Sequence, residues 1–584
     1  MGGCLSKNNS VNTTTEAESV NPADKAGTSE DKSRNAKPSK QVAKNGGGSK
    51  VTEEDPDEAI EAVVCQVDSM KDGEMREVDV ADGKVLLIKD LNEFTAIGHK
   101  CSHYGAPLAK GVLSNGRVRC PWHGACFNTK TGDIEDFPGV DSIPCFKVRV
   151  EGSDVIVEAQ KKQLQSHRRI KKMSLRSADN DKVFLIIGGG GAGLVCAETL
   201  RQEGFGGRIV IATKEKHLPY DRPKLSKAME GSAESIQLRK DDFFLVYDIE
   251  VKLEHEVVSI EAELNTVKFQ NGDSLSFEKL LIATGGKPRT LDVPGKDLKN
   301  VCSLRSPDDA NYIAQLGNGK NVVIVGSSFI GIEVASFFSG KAGSVTVIGR
   351  GSVPYAATLG EQIGGAVKKL AEEKGVKFHM NCSVKEFKGQ DDVLSSIVLS
   401  NDEEIPADVC VLGVGVTPAT EFLQNSGLRF SSKNNVIVDK FLCTNNPDIY
   451  AAGDIAEFPL RLNNNSPVNI GHWQIAHYHG RVAALNMFGH ETEVETVPFF
   501  WTAIFGKNIR FSGYNHGYDD VIISGSLQEL KFIAYYARGD YIVAIATLNS
   551  DPAASKFAEF LASGKRLKKS QVTSEDPESW QSKL

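Results

Sequence analysis

The sequence predicts a multidomain protein of mixed class: all-β near the N-terminus, α/β through the middle, and α+β at the end. Three observations carry this expectation. Apolar runs such as Val63-Val64-Cys65-Gln66-Val67 and Val85-Leu86-Leu87-Ile88 are punctuated by Gly98, Gly105, Gly116, Gly124, Gly132 and Gly139, the pattern of a small β-sandwich or barrel. Further on, two apolar strands, Val183-Phe184-Leu185-Ile186-Ile187 and Val322-Val323-Ile324-Val325, each run straight into a glycine-bearing turn and a helical pattern. From about residue 497 the chain turns β-rich again, through Pro498-Phe499-Phe500-Trp501-Thr502, Val521-Ile522-Ile523, Leu530-Lys531-Phe532-Ile533 and Tyr541-Ile542-Val543-Ala544-Ile545.

A chain of 584 residues has room for roughly three to five domains. With 40% hydrophobic and 25% charged residues, it has the composition of an ordinary globular protein. A net charge of -8 gives no support for nucleic-acid binding. No apolar run is long enough to span a bilayer. Eleven cysteines lie scattered without small-domain spacing, which suggests reduced thiols in a reducing compartment.

The first residues, Met1-Gly2-Gly3-Cys4-Leu5-Ser6, match the pattern for N-myristoylation of Gly2. Cys4 is a candidate for palmitoylation, and two acyl chains anchor stably where one does not. Chance agreement with so short a pattern is the competing reading. A mitochondrial transit peptide fits poorly, because Glu16, Glu18, Asp24, Glu30 and Asp31 all precede the first arginine, Arg34. Residues 7–58 are too polar to offset their ordering entropy and read as a disordered tether.

Cys101-Ser102-His103 is followed, after sixteen residues, by Cys120-Pro121-Trp122-His123. This C-x-H-x16-C-x-x-H spacing offers two thiolates and two imidazoles from two similar loops. Such a set also describes a structural zinc site or four unrelated core residues; against zinc, fingers usually pair like with like, whereas here the types interleave. The pattern resembles the Rieske signature. That resemblance implies that Cys101 and Cys120 hold one iron of a [2Fe-2S] cluster and His103 and His123 the other. Relatives of higher potential carry an additional Cys in each loop, where this chain has Ala106 and Trp122. The centre is therefore expected toward the low end of the Rieske range, about −150 mV. Cys126 and Cys145 read as buried thiols. Downstream, Lys161, Lys162, Arg168, Arg169, Lys171 and Lys172 make a basic stretch that reads as a solvated linker, with a phospholipid-facing patch as the alternative.

The first strand-turn-helix carries Gly188, Gly190 and Gly193 and continues through Leu194, Ala197 and Leu200, so a pyrophosphate can meet the helix N-terminus. The next strand, Arg208-Ile209-Val210-Ile211-Ala212, leads to Glu215, a candidate for the adenosine ribose hydroxyls or simply a surface carboxylate. Then come Leu218-Pro219-Tyr220-Asp221-Arg222-Pro223-Lys224-Leu225-Ser226-Lys227, Ile282-Ala283-Thr284-Gly285, Leu304-Arg305 and Ile449-Tyr450-Ala451-Ala452-Gly453-Asp454. These pieces resemble the FAD-dependent branch of two-dinucleotide-domain flavoproteins that contains ferredoxin reductases and apoptosis-inducing-factor-like proteins. The resemblance implies FAD, with Arg222 and Lys227 beside the isoalloxazine, Val257 and Arg305 on the adenosine half, Thr284 and Gly285 in the binding turn, and Asp454 on the ribityl chain. It also implies that His472 and Trp473 cover the isoalloxazine and that Trp501 lies near the flavin.

The second turn reads Gly326-Ser327-Ser328-Phe329-Ile330-Gly331-Ile332-Glu333, with Ser328 where a middle glycine is expected. That adds a side chain where backbone should approach phosphate. Glu333 resembles the family glutamate that pairs with the lysine seen here as Lys227, tuning the flavin face electrostatically. The following strand ends at Arg350 rather than an acid, which leans toward the 2′-phosphate of NADPH unless the guanidinium only faces water. Gly415 matches the family turn beside the nicotinamide ribose. Neither a C-x-x-C nor a C-x4-C pair is present, so a dithiol relay is not expected. His472 and His477 form an H-x4-H pattern, but no acidic third ligand accompanies it, which argues against an oxygenase iron site.

Together these readings divide the chain into a tail (1–58), a Rieske domain (59–160), a linker (161–182), an FAD domain in two parts (183–305 and 431–492) around an NAD(P) domain (306–430), and a C-terminal interface domain (493–584). The combination resembles the Rieske-bearing apoptosis-inducing-factor-like flavoproteins. It implies an NAD(P)H oxidoreductase that passes electrons from FAD to the cluster and on to an unknown acceptor, with an association with apoptosis. The alternatives are a redox-sensing signalling protein and the reductase component of an oxygenase system. A homodimer through the C-terminal domain is left open. The acylation pattern points to a cytoplasmic membrane face, and kinship to mitochondria.

Overall fold

The computed structural model describes residues 58–583. Gly2, Cys4 and the rest of the tail lie outside the described residues.

The N-terminal domain is all-β. A six-stranded antiparallel sheet runs in the order Ala59–Gln66, Asp154–Gln160, Cys145–Glu151, Glu93–Gly98, Gly83–Asp90, Glu74–Val80. The strand Gly83–Asp90 reads as a continuous apolar run because the sheet is buried on both faces. Leu86 and Ile88 pack with Ile97, Cys101, Val118 and Phe127 on one side. Val85 and Leu87 pack with Val80, Ala96, Val155 and Val157 on the other, as alternation along a strand requires. A second sheet of four short strands, Val112–Ser114, Arg117–Arg119, Cys126–Asn128 and Ile134–Asp136, holds the loops with Cys101 and Cys120.

The middle of the chain forms two parallel sheets. One runs Ile249–Lys252, Arg208–Ala212, Val183–Ile187, Lys279–Ile282, Ile449–Ala451. The other runs Val301–Ser303, Val409–Leu412, Asn321–Val325, Ser344–Gly349, Val376–Met380 and lies between the last two strands of the first in sequence. In the first sheet Val183–Ile187 feeds helix α1 (Gly191–Gln202), and in the second Asn321–Val325 feeds helix α2 (Phe329–Phe338). Dinucleotides are expected outside the carboxyl ends of such strands.

The two turns are built alike. A Cβ on Gly188 would meet the Ala283 carbonyl at 2.3 Å, and one on Gly326 the Gly413 carbonyl at 2.2 Å. A Cβ on Gly193 or Gly331 would run into the carbonyl of its own turn's first glycine, Gly188 or Gly326. Ser328 is a different case. It caps α2 at φ −98, ψ −164, close to the φ −89, ψ −172 of Gly190 ahead of α1. Both are extended conformations open to any residue, so serine costs the turn no backbone strain.

A third helix, α3 (Trp473–Met487), packs against α1, where Gly480 lets the two backbones approach. The C-terminal domain is an antiparallel sheet in the order Phe499–Ile504, Lys507–Gly513, Tyr541–Leu548, Lys531–Arg538, Asp520–Ser526, covered by α4 (Ala553–Ala562). The basic stretch after the first domain is not a free linker. The Arg169 backbone pairs with Ser142, and Ser174 and Ser177 bond to Arg201 and Gly206. No helix among the described residues is long and apolar enough to cross a membrane.

Candidate active site

A cavity of about 640 Å³ lies at the carboxyl ends of the first parallel sheet. It is lined by the turn at Gly188 and Gly190, by Glu215, Val257, Thr284, Gly285, Arg305 and Asp454, and by His472, Trp473 and Trp501. Gly193 sits inside α1 and shapes the turn instead. Lys227, Ile330 and Glu333 also reach the cavity, whereas Gly326, Ser328, Gly331, Arg350 and Gly415 lie outside its lining.

Opposite charges organise the walls. Lys227 Nζ stands 2.8 Å from Glu333 Oε2. Ser226 donates to the same carboxylate, and Thr502 donates to Oε1 at 2.7 Å. Glu333 is buried with all its acceptors engaged. Arg222 lines the same cavity. Its guanidinium is paired with Glu215 at 2.6 Å and with the hydroxyl of Tyr220 and the carbonyl of Arg305. A guanidinium–carboxylate contact of this kind is charge-assisted and holds the wall of the cavity in place. Burial pushes the Glu215 carboxyl up, but Arg222 and the Tyr220 hydroxyl hold it below the usual range. Burial pushes Asp454 up, opposed by Arg305 and Arg222.

The residues fit an FAD-type ligand. The position of a Cβ on Gly190 is open space at the N-terminus of α1, where phosphate oxygens meet free amides. His472 Nδ1 lines the cavity side of α3, buried and without a partner. Burial lowers its pKa to about 4, so it presents a neutral ring.

The four Rieske candidates stand beside this cavity in two like pairs. Cys101 and Cys120 lie close enough for each thiol to act on the other's ionisation, and the Nδ1 atoms of His103 and His123 are 3.1 Å apart. Among the described residues, no three His, Cys, Asp or Glu side chains gather as for a single metal ion. Two thiols on one side and two imidazoles on the other suit a two-iron cluster rather than one zinc. Burial opposes ionisation of Cys120, while Cys101, the Trp122 and His123 backbones and Arg510 pull its pKa down. Burial, assisted by His477, Arg168 and Lys224, brings His103 down to about 3. Burial with His103, Arg510 and Lys227 takes His123 well below the histidine range. Both rings are therefore neutral, as ligands must be.

Cavity and pairs meet at one ring. Trp501, a cavity residue, stands 4.4 Å from His123 and 5.7 Å from His103, centroid to centroid. The contact is held by a polar interface that sequence reading missed. Arg119, 1% exposed, pairs with Glu559 of α4 at 2.5 Å and with Asp136 at 3.1 Å. Asp136 accepts from Gln474 of α3, Arg510 donates to the Trp122 carbonyl, and Ser555 donates to the Cys120 carbonyl. Gly124 is required where the ring of Phe499 presses on the cluster loop. Apart from Arg119 and Asp136, these partners lie hundreds of residues apart, and no local pattern marks them.

Residues 182–480 match the pyridine nucleotide-disulphide oxidoreductase family, 61–147 the Rieske [2Fe-2S] domain and 499–579 the reductase C-terminal domain. The chain is 50% identical to apoptosis-inducing factor 3 of Homo sapiens over 88% of this chain and 86% of that protein. It is 32% identical to the rubredoxin-NAD(+) reductase of Pseudomonas putida over 63% of this chain and 95% of that one. Among solved structures, the ferredoxin reductase for the CYP199A2 system from Rhodopseudomonas palustris is 29% identical with a TM-score of 0.65, covering 69% of this chain and all (100%) of that one. The domains are those of an oxidoreductase acting on NAD(P)H with FAD and a [2Fe-2S] cluster. The chain belongs to the pyridine nucleotide-disulphide oxidoreductase family, as a Rieske-bearing relative of apoptosis-inducing factor 3.

Proposed function

We propose that this protein carries electrons taken from NAD(P)H across its flavin site to its own cluster site, and from there to a separate one-electron acceptor. The observation that supports this most is the position of Trp501, in the cavity wall and 4.4 Å from His123. FAD, when bound, takes up a hydride, and a [2Fe-2S] cluster accepts electrons one at a time. The chain's own residues orient and insulate. Trp501, Phe500, His472 and Trp473 wall the cavity with rings that exclude water. Lys227, offset by Glu333, sets positive charge close enough to His123 to depress its pKa. Among the described residues, those lining the cavity include no cysteine.

The test is Trp501→Leu. Slower cluster reduction at unchanged flavin reduction supports the reading; unchanged cluster reduction sinks it. A redox-sensing role in cell death draws on the name of the relative at 50% identity, and predicts a reduced flavin beside a cluster that stays oxidised. An oxygenase-system role draws on relatives such as the benzene 1,2-dioxygenase system ferredoxin–NAD(+) reductase subunit, 31% identical over 59% of this chain, and predicts fast reduction of an added oxygenase. For location, the reading is acylation of Gly2 and Cys4 at a cytoplasmic membrane face. Membrane partition unchanged by Gly2→Ala refutes it.

A further inference from the structure

In the described structure, the histidine pair is spoken for by the flavin side. His103 is 8% exposed, and the ring that reaches it from outside is Tyr104. Tyr104 lies flat on His103, with centroids 3.8 Å apart and planes at 18°, yet it is 38% exposed. Its hydroxyl is tied to the buried Asp221, so the ring is held in place rather than free to swing.

The rim of Tyr104 is basic. Lys224 Nζ sits 5.6 Å from the centre of its ring. Arg168, from the stretch after the first domain, donates to the carbonyls of Ser102 and His103 and remains exposed. Lys100, also exposed, and His99 lie near enough to His167 and Arg168 that their charges act together on His167. Two acids by this face are buried: Asp221 accepts from Tyr104 and stands 3.9 Å from Lys224, and Asp141 pairs with Arg239. Local positive charge on a chain of net charge -8 is not a by-product of composition. Such a field selects and steers an acidic partner.

We infer that the face formed by Tyr104, Lys100, Arg168 and Lys224 is the docking surface for an acidic one-electron carrier protein, with the Tyr104 ring as the contact nearest His103. This rests on the proposed internal electron path. At each encounter the reduced protein loses one electron and the carrier's redox centre gains one; no bond forms or breaks and no proton moves. Two encounters follow each NAD(P)H oxidised to NAD(P)+ and a proton.

The test measures binding, separately from turnover. The probe is plant-type [2Fe-2S] ferredoxin, an acidic carrier, titrated onto the intact holoprotein at two ionic strengths; basic cytochrome c and phosphatidylserine vesicles serve as comparisons. The expected result is ferredoxin binding that weakens with salt and falls about tenfold or more in the double variant Lys100→Glu/Lys224→Glu, with cluster EPR and reduction by NAD(P)H retained. Ferredoxin binding indifferent to the variant, tighter binding of cytochrome c, or loss of vesicle binding alone would overturn the inference. Failure of NAD(P)H to reduce the cluster is read separately, and counts against the internal path.

Discussion

Glu559→Ala removes the buried anchor between α4 and the cluster domain. In the intact protein Glu559 is fully buried and receives Arg119 at 2.5 Å and Arg117 at 3.1 Å. Burial pushes its carboxyl up, and the two guanidinium groups more than reverse this, so it stays ionised below the usual carboxylate range. Deleting one partner of such a set leaves an uncompensated buried charge, at a cost of about 3–5 kcal/mol. Arg119 keeps Asp136 and the Gly124 carbonyl, and Arg117 is 24% exposed and can turn to water. The lower end, about 3 kcal/mol, is therefore expected. That is roughly a hundredfold shift between docked and undocked domains. Native-state hydrogen exchange reads it: amides of Arg117–Arg119 and Cys126–Asn128 should exchange about a hundredfold faster, those of Val183–Ile187 unchanged. Glu559→Gln, which keeps an acceptor, should lie between. Exchange that rises equally throughout, or not at all, refutes the idea that this ion pair holds the domains together.

Other outcomes follow from the same geometry. Glu333→Gln leaves Lys227 without its counter-charge, so the flavin potential should rise, on the order of 20–40 mV by redox titration; a fall contradicts the pairing. Ser328→Gly should leave thermal stability within about 1 kcal/mol, since the backbone there already has the shape seen at Gly190, and should lower the KM for NAD(P)H. His479 is buried, with its pKa lowered to about 3 by burial. Above the unfolded value near 6.5 both states are neutral; as pH falls below it the unfolded chain takes a proton that the folded one refuses. Stability should therefore drop by about 2 kcal/mol from this group by pH 5, a loss that thermal melts should show and His479→Gln should reduce.

The parts legible in the sequence are those fixed by local rules. Strand, tight turn and helix follow one another at Gly188 and Gly326 because the backbone must cross itself there, and the chain spells that out in glycines. The Cys101 and Cys120 loops were legible for the same reason, since metal ligands repeat at short spacing. Trp501 and the Lys227–Glu333 pair were reached through family resemblance alone. What stayed hidden depends on pairs far apart in the chain. Arg119 and Glu559 look like two surface charges in sequence, and only the packing of α4 on the small sheet makes them a buried pair. Nothing in the sequence singles out Tyr104, whose ring lies on His103.

Electrons that enter at the cavity by Trp501 are expected to reach the Cys/His pairs of the same chain. Anaerobic rapid mixing of the holoprotein with NADH or NADPH, followed by flavin absorbance and freeze-quenched EPR, tests it most directly. The expected result is fast flavin bleaching and then a reduced-cluster signal whose rate does not depend on protein concentration. A flavin that is reduced and stays so beside an EPR-silent, oxidised cluster would contradict it.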